Sequence, residues 1–237
     1  MLIGCQNASF AYGSSVVVRN LNFSVDQGNY LCVVGENGSG KSTLIKGLLG
    51  LIRPCGGAVV TDPGLRAGDT GYLPQQTAVQ KDFPASVYEV VLSGRIGARL
   101  FHPFYTRADR AAAEENLERL GIADLRRRSY RELSGGQQQR TLIARSLCAA
   151  RKLIILDEPA AGLDPLIGAG LYDLLETINR EKGIAVIMVS QDIDKTLDHA
   201  GLILHVKNDQ LFFGSAEDYR HSAPGIRFLE GREKKND

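Results

Sequence analysis

The segment G-E-N-G-S-G-K-S at 35–42 constrains the fold of this chain more than any other stretch. It has the form G-x-x-x-x-G-K-[ST]. Before it runs the continuously apolar Y-L-C-V-V at 30–34, and after it Leu44, Ile45, Leu48 and Leu49 recur at helical spacing. A buried strand, a glycine-rich loop and a helix in that order predict a phosphate-binding loop within a mostly parallel α/β sheet. Gly35, Gly38 and Gly40, with the intervening Glu36, Asn37 and Ser39, let the backbone turn its N–H groups inward around phosphate oxygens. Lys41 is expected to reach the β- and γ-phosphates, Ser42 to hold Mg²⁺, and the Thr43 amide to add a phosphate contact.

A carboxylate near the metal is the next requirement, and L-I-I-L-D-E at 153–158 ends a buried apolar strand on two of them. Ligands in such sheets bind at the carboxyl ends of strands. Asp157 is therefore the candidate for Mg²⁺, directly or through water, and Glu158 the candidate for polarising the water that attacks the γ-phosphate. A third buried strand, I-A-V-I-M-V at 184–189, follows helical sequence around Leu171, Leu174, Leu175 and Ile178.

The rest of the chain divides by pattern. Residues 1–34 carry short β-like runs, V-V-V at 16–18 and L-N-F-S-V at 21–25, with a turn signal at Asp26-Gln27-Gly28-Asn29, which predicts an N-terminal antiparallel β subdomain. Between about 77 and 150 strand signals vanish and helix-favouring sequence such as A-A-A-E-E-N-L-E-R-L at 111–120 dominates. This predicts a helical subdomain at 77–150, inserted into a nucleotide-binding core made of 1–76 and 151–237. L-I-L-H-V and Q-L-F-F flank Asn208-Asp209 as a hairpin, and the polar tail E-G-R-E-K-K-N-D is expected to fray.

Composition excludes several classes of function. Lysine and arginine total 28 against 27 for aspartate and glutamate, so no broad positive field collects nucleic acid, and the run Arg126-Arg127-Arg128 reads as a solvated turn. The four cysteines, Cys5, Cys32, Cys55 and Cys148, form no C-x-x-C pair, with Cys32 and Cys148 in core-like stretches. His102, His199, His205 and His221 form no cluster of metal-site spacing. No apolar stretch approaches the ~18–20 residues of a spanning helix, so a cytoplasmic chain is expected, reaching a membrane only through a partner.

L-S-G-G-Q at 133–137, followed by Q-Q-R-T-L-I-A-R-S-L, carries a resemblance over nearly the whole chain. With the phosphate loop and the L-I-I-L-D-E strand, it resembles the ATP-binding cassette family. Physically the motif makes a second anion-binding helix start. The resemblance implies that Ser134, Gly135, Gly136 and Gln137 cover the γ-phosphate of ATP held by another subunit, so that a homodimer sandwiches two ATP molecules; a heterodimer meets the same need. It further implies that Tyr12, in F-A-Y-G, stacks on adenine, and that Gln75, in Y-L-P-Q, senses Mg²⁺ and the attacking water, with Gln76 an adjacent competitor. Asp164, in A-G-L-D-P, would link the two sites, with helix capping as its plain alternative.

One position departs from the family pattern. After I-A-V-I-M-V-S the family normally has a histidine that contacts the γ-phosphate, and this chain has Gln191. An amide donates one hydrogen bond but does not titrate near neutrality, so slow hydrolysis with ATP binding preserved is expected, whether the glutamine arose by divergence or by deliberate replacement. His199 and His205 do not substitute, falling in a following helix and a later strand.

F-P-A-S-V-Y-E-V-V-L-S-G-R at 83–95 and L-F-H-P-F-Y-T-R after it look similar to the cassettes of zinc and manganese importers, with iron-chelate and cobalamin importers as runners-up. That resemblance implies membrane permease subunits at a groove near Gln75 and 77–105, and an extracytoplasmic substrate-binding protein beyond them. The contrasting classes are a soluble cassette acting on DNA or in translation, which would carry a long coiled coil or two cassettes, and a regulatory ATP-binding protein supported by Gln191 alone.

Overall fold

The structure, a computed structural model, describes residues 1–13, 15–75, 84–98, 104–190 and 193–236. The strands are β1 (Ile3–Tyr12), β2 (Ser15–Val25), β3 (Tyr30–Val34), β4 (Gly56–Thr61), β5 (Thr70–Leu73), β6 (Leu153–Asp157), β7 (Ala185–Val189), β8 (Leu202–Lys207) and β9 (Asp209–Ser215). The helices are α1 (Lys41–Leu48), α2 (Val87–Leu92), α3 (Arg107–Arg119), α4 (Gly135–Ala149), α5 (Pro165–Lys182), α6 (Ile193–His199), α7 (Ala216–His221) and α8 (Ala223–Asn236).

Among the described residues the strands form one sheet in the order β4-β1-β2-β9-β8-β3-β7-β6-β5. Pairing from β8 through β3, β7 and β6 to β5 is parallel. The β1–β2 pair is antiparallel, as the N-terminal alternation predicts; so are the β1–β4 pair and the β8–β9 hairpin turning at Asn208. The apolar runs of β3, β6 and β7 follow from burial on both faces. Cys32, Val34, Ile154, Leu156, Val186 and Met188 join one apolar cluster with α2, α4 and α5, while Leu31, Val33, Ile155 and Ile187 join another with α1, β1 and β2. The helical stretch between β5 and β6 thus shares a continuous core with the sheet.

Some local expectations were off. The two β-like runs at 16–18 and 21–25 belong to the single strand β2, bent where Asn20 takes a φ of 53°. Strands β4 and β5 went unread: β4 is a glycine-led edge strand with no buried residue, and β5 spans only four residues. The tail expected to fray instead continues α8, whose Phe228 ring lies 4.7 Å from the His205 ring while Leu229 packs on the core. Two apolar anchors and a run of good helix formers outweigh the polar composition there. Cys5, Cys32 and Cys148 are buried and Cys55 exposed, all as free thiols.

Candidate nucleotide site

The site grows from three neighbouring strand ends. β3 runs into the loop at 35–40, β6 ends on Asp157, and β7 ends beside Ser190. Main-chain bonds tie these exits together: the Glu158 N–H donates to the Val189 carbonyl at 3.0 Å and the Ser190 N–H to the Val33 carbonyl at 3.4 Å.

The glycine-rich loop closes around Lys41. Its Nζ donates to the carbonyls of Gly35 at 2.8 Å and Glu36 at 2.9 Å. Only 6% of the residue is exposed, and burial pushes the ammonium below the usual lysine range while Glu158 and Asp157 pull it up. Gly40 caps α1 with a φ of 97°, a conformation that side chains rarely adopt. At Gly35 an added Cβ would sit 2.2 Å from the Val206 carbonyl oxygen, so β8 backs the loop too closely for any side chain.

Asp157 is buried at 3% exposure. Burial raises its pKa, a hydrogen bond with Ser42 lowers it, and Glu158 raises it further. Its Oδ1 is buried with no hydrogen-bond partner. A spare carboxylate oxygen beside a serine hydroxyl is a hard-oxygen donor set that suits Mg²⁺, an ion that takes one or two protein oxygens and completes its shell with phosphates and water. The residues therefore fit the metal. Glu158 itself takes a φ of 52°, a strained conformation for a carboxylate side chain, and receives the Gln75 amide at 3.5 Å.

Tyr12 ends β1 opposite Ser15 and is 74% exposed. It lies at the turn into β2, the strand whose Val17 and Val18 border Gly40. Asp164 caps α5, its Oδ1 accepting from the Leu166 N–H at 2.9 Å with Pro165 in the first turn. The capping alternative for Asp164 is thus realised in the fold. Gln191, Gln76 and His102 lie outside the described residues. His199 ends α6 and His205 lies in β8, as expected.

The L-S-G-G-Q segment starts α4. Ser134 accepts from the Gln137 N–H at 3.3 Å and its own N–H donates to the Gln137 side chain at 3.0 Å. This is a capping box, legible in the S-x-x-Q spacing and passed over in the sequence. A Cβ on Gly135 would meet nothing within 4 Å, and one on Gly136 only Leu163 at 3.9 Å. No described residue of the chain sterically requires glycine at either position. Sequence reasoning also missed Gln139, whose amide donates to the Pro159 carbonyl at 2.7 Å and ties α4 to the loop after Glu158, a contact with no local signature. A cavity of about 310 Å³ lies between that loop, the first turns of α5, Tyr172 and Ser190.

The comparisons with known proteins agree with this geometry. The family profile described as ABC transporter matches residues 18–161. The zinc uptake system ATP-binding protein ZurA of Listeria innocua is 33% identical over 227 residues, covering 93% of this chain and 88% of its own. The manganese transport system ATP-binding protein MntB of Bacillus subtilis is 35% identical over 215 residues, covering 90% and 86%. A solved transporter described as of metal-chelate type, in an inward-facing conformation, superposes with a TM-score of 0.82 at 29% identity, covering 95% of this chain and 87% of that one. A phosphate loop, a paired-carboxylate strand end and a capped L-S-G-G-Q helix, matched by that profile and those relatives, make this chain a member of the ABC transporter family.

Proposed function

We propose that the chain is the ATP-binding and hydrolysing subunit of an importer for a divalent metal cation of the zinc or manganese type. The observation that carries the ATPase part is the meeting of buried Lys41, the Ser42–Asp157 pair with its spare oxygen, and strained Glu158 at adjoining strand ends. The metal part is supported by the zinc and manganese transport roles of relatives that align over nine-tenths of the chain. A chelated metal is the second reading, favoured by the metal-chelate type neighbour.

In this reading the amides of 35–43 and Lys41 bind the phosphates, and Tyr12 stacks on the base. Ser42, Asp157 and Gln75 would hold Mg²⁺, which supplies charge neutralisation across the β- and γ-phosphates. Glu158 accepts the proton of the attacking water, with Gln75 orienting that carboxylate. Gln191 donates one hydrogen bond to the γ-phosphate where the family has an imidazole, and turnover is accordingly slow. Ser134, Gly135, Gly136 and Gln137 of a second copy close the site, and the open space over Gly135 supports that docking. Asp164 lies between the two sites. Residues 77–150 act as a helical subdomain against the core of 1–76 and 151–237, meeting permease subunits that an extracytoplasmic binding protein supplies; the chain works on the cytoplasmic face of the membrane.

The test is recovery of the membrane complex from native cells, with transport of zinc, manganese and an iron chelate assayed in vesicles. ATP-driven uptake of zinc or manganese that Lys41→Ala abolishes is the expected result. Uptake of the chelate alone would favour the second reading, and a complex without a permease would defeat both.

A further inference from the structure

Glu158 is held in a backbone conformation that it would not keep alone. Its φ of 52° lies in the left-handed region, and it precedes Pro159, whose ring pushes the residue before it toward extended backbone. Such a conformation persists only where its surroundings over-determine it. Contacts from three directions surround this one. The Glu158 N–H donates to the Val189 carbonyl of β7 at 3.0 Å, and the Glu158 carbonyl accepts from the Ala161 N–H at 3.1 Å. The next carbonyl, that of Pro159, accepts from the Gln139 side-chain amide at 2.7 Å. The first two are main-chain bonds that do not depend on which side chain is present. The third depends on one side chain, and Pro159 has no N–H with which to make an anchor of its own.

Gln139 lies on α4, two residues after Gln137, and is 4% exposed. Its Nε2 makes the bond to Pro159, while its Oε1 is buried with no hydrogen-bond partner among the described residues. For stability alone that is a poor exchange, because an unpaired buried acceptor destabilises at least as much as one neutral hydrogen bond stabilises. An apolar side chain of similar length would fill the same space without it. What an apolar side chain cannot do is hold the Pro159 carbonyl, one residue from the Glu158 carboxylate, at a fixed distance from α4. Misplacement by about 1 Å at a reacting centre can cost on the order of 100-fold in rate.

We propose that Gln139 is a positioning residue for hydrolysis: its amide ties the Pro159 carbonyl to the helix that L-S-G-G-Q starts, and so keeps the Glu158 carboxylate aimed at the attacking water. This rests on the reading of Glu158 given above. Gln139→Met keeps the length of the side chain and removes the donor. The exchange leaves the Pro159 oxygen unpaired and deletes the unpaired Oε1, so the thermal midpoint should change little. In the full-length chain, kcat for ATP is expected to fall about 10-fold while KM and nucleotide affinity stay within about 2-fold. In a Glu158→Gln background the same change should add nothing to single-turnover hydrolysis, since it acts through that carboxylate.

A lowered thermal midpoint with kcat unchanged would make the contact purely structural, and a raised KM with kcat unchanged would place Gln139 in nucleotide binding; either result overturns the proposal. Unchanged turnover in Glu158→Gln alone would defeat the assignment of Glu158, and the role of Gln139 with it. A slowed Glu158→Gln combined with full activity in Gln139→Met, or with losses that multiply in the double variant, would overturn the role of Gln139 and leave that assignment standing.

Discussion

The two glycine-rich helix starts of this chain are built on opposite plans. The loop before α1 is folded onto its own neighbours: Lys41 bonds back to Gly35 and Glu36, and Val206 blocks any side chain at Gly35. The start of α4 is satisfied by one capping box and otherwise leaves Gly135 facing open space among the described residues, with only Leu163 near Gly136. Gly35 and Gly40 are needed in the first loop because the chain crowds them. In the second no described residue crowds Gly135, which fits a site closed by a second copy. A site completed by another molecule keeps its approach surface small, at a cost in helix propensity of up to about 1 kcal/mol per glycine.

The sharpest way to break this contrast is at the self-contained half. Glu158→Gln should lower kcat by about 10²–10⁴ with ATP affinity retained, as loss of a general base does, and ATP-saturated material should accumulate as a dimer on size-exclusion chromatography. Retained hydrolysis would remove Glu158 from the chemistry. At the open half, Gly135→Leu should leave the monomer folded, because a Cβ there projects into open space, and ATP binding to the single chain should persist. Nucleotide-dependent dimerisation and turnover should nevertheless fall by about 100-fold or more. A variant that hydrolyses normally would show that no second copy closes on this helix.

A smaller gain is expected from Gln191→His. Strengthening one hydrogen bond to a charged oxygen contributes about 1.5–3 kcal/mol, so single-turnover hydrolysis should speed up by about 10- to 100-fold with ATP affinity little changed.

The mildest test concerns the strand that backs the phosphate loop. His205 pairs with Val34 across β8 and β3, its Nδ1 shares a 2.9 Å hydrogen bond with the Tyr219 hydroxyl, and burial lowers its pKa to about 4 from 6.5. The folded pKa lies below the unfolded one, so between those values the unfolded chain binds the proton first. Stability is complete above about pH 6.5 and falls by at most about 3 kcal/mol on the way to about pH 4. Urea midpoints across that range should follow this slope, and His205→Phe should flatten it; an unchanged slope would mean that another group carries the acid sensitivity.

Legibility differed between the halves for a physical reason. The loop at 35–42, the apolar strands and the carboxylate pair at 157–158 could be read directly, because consecutive residues supply the turn, the burial pattern and the chemistry. The box at Ser134 and Gln137 was equally local and only its pattern was overlooked. Strand β4 escaped because an edge strand exposes its residues, and α8 because its order depends on Phe228 and Leu229 finding partners far away in sequence.

By itself, then, the sequence determined the sheet type, the phosphate loop and the family, all of which depend on residues adjacent in the chain. Only the tertiary structure decided that Asp157 keeps a spare oxygen beside Ser42, that Gln139 ties α4 to Pro159, and that Tyr172 meets Ser190. Each of those requires two or more elements to arrive at one point, and a hydrogen bond of about 3 Å is set by packing that no local spacing encodes.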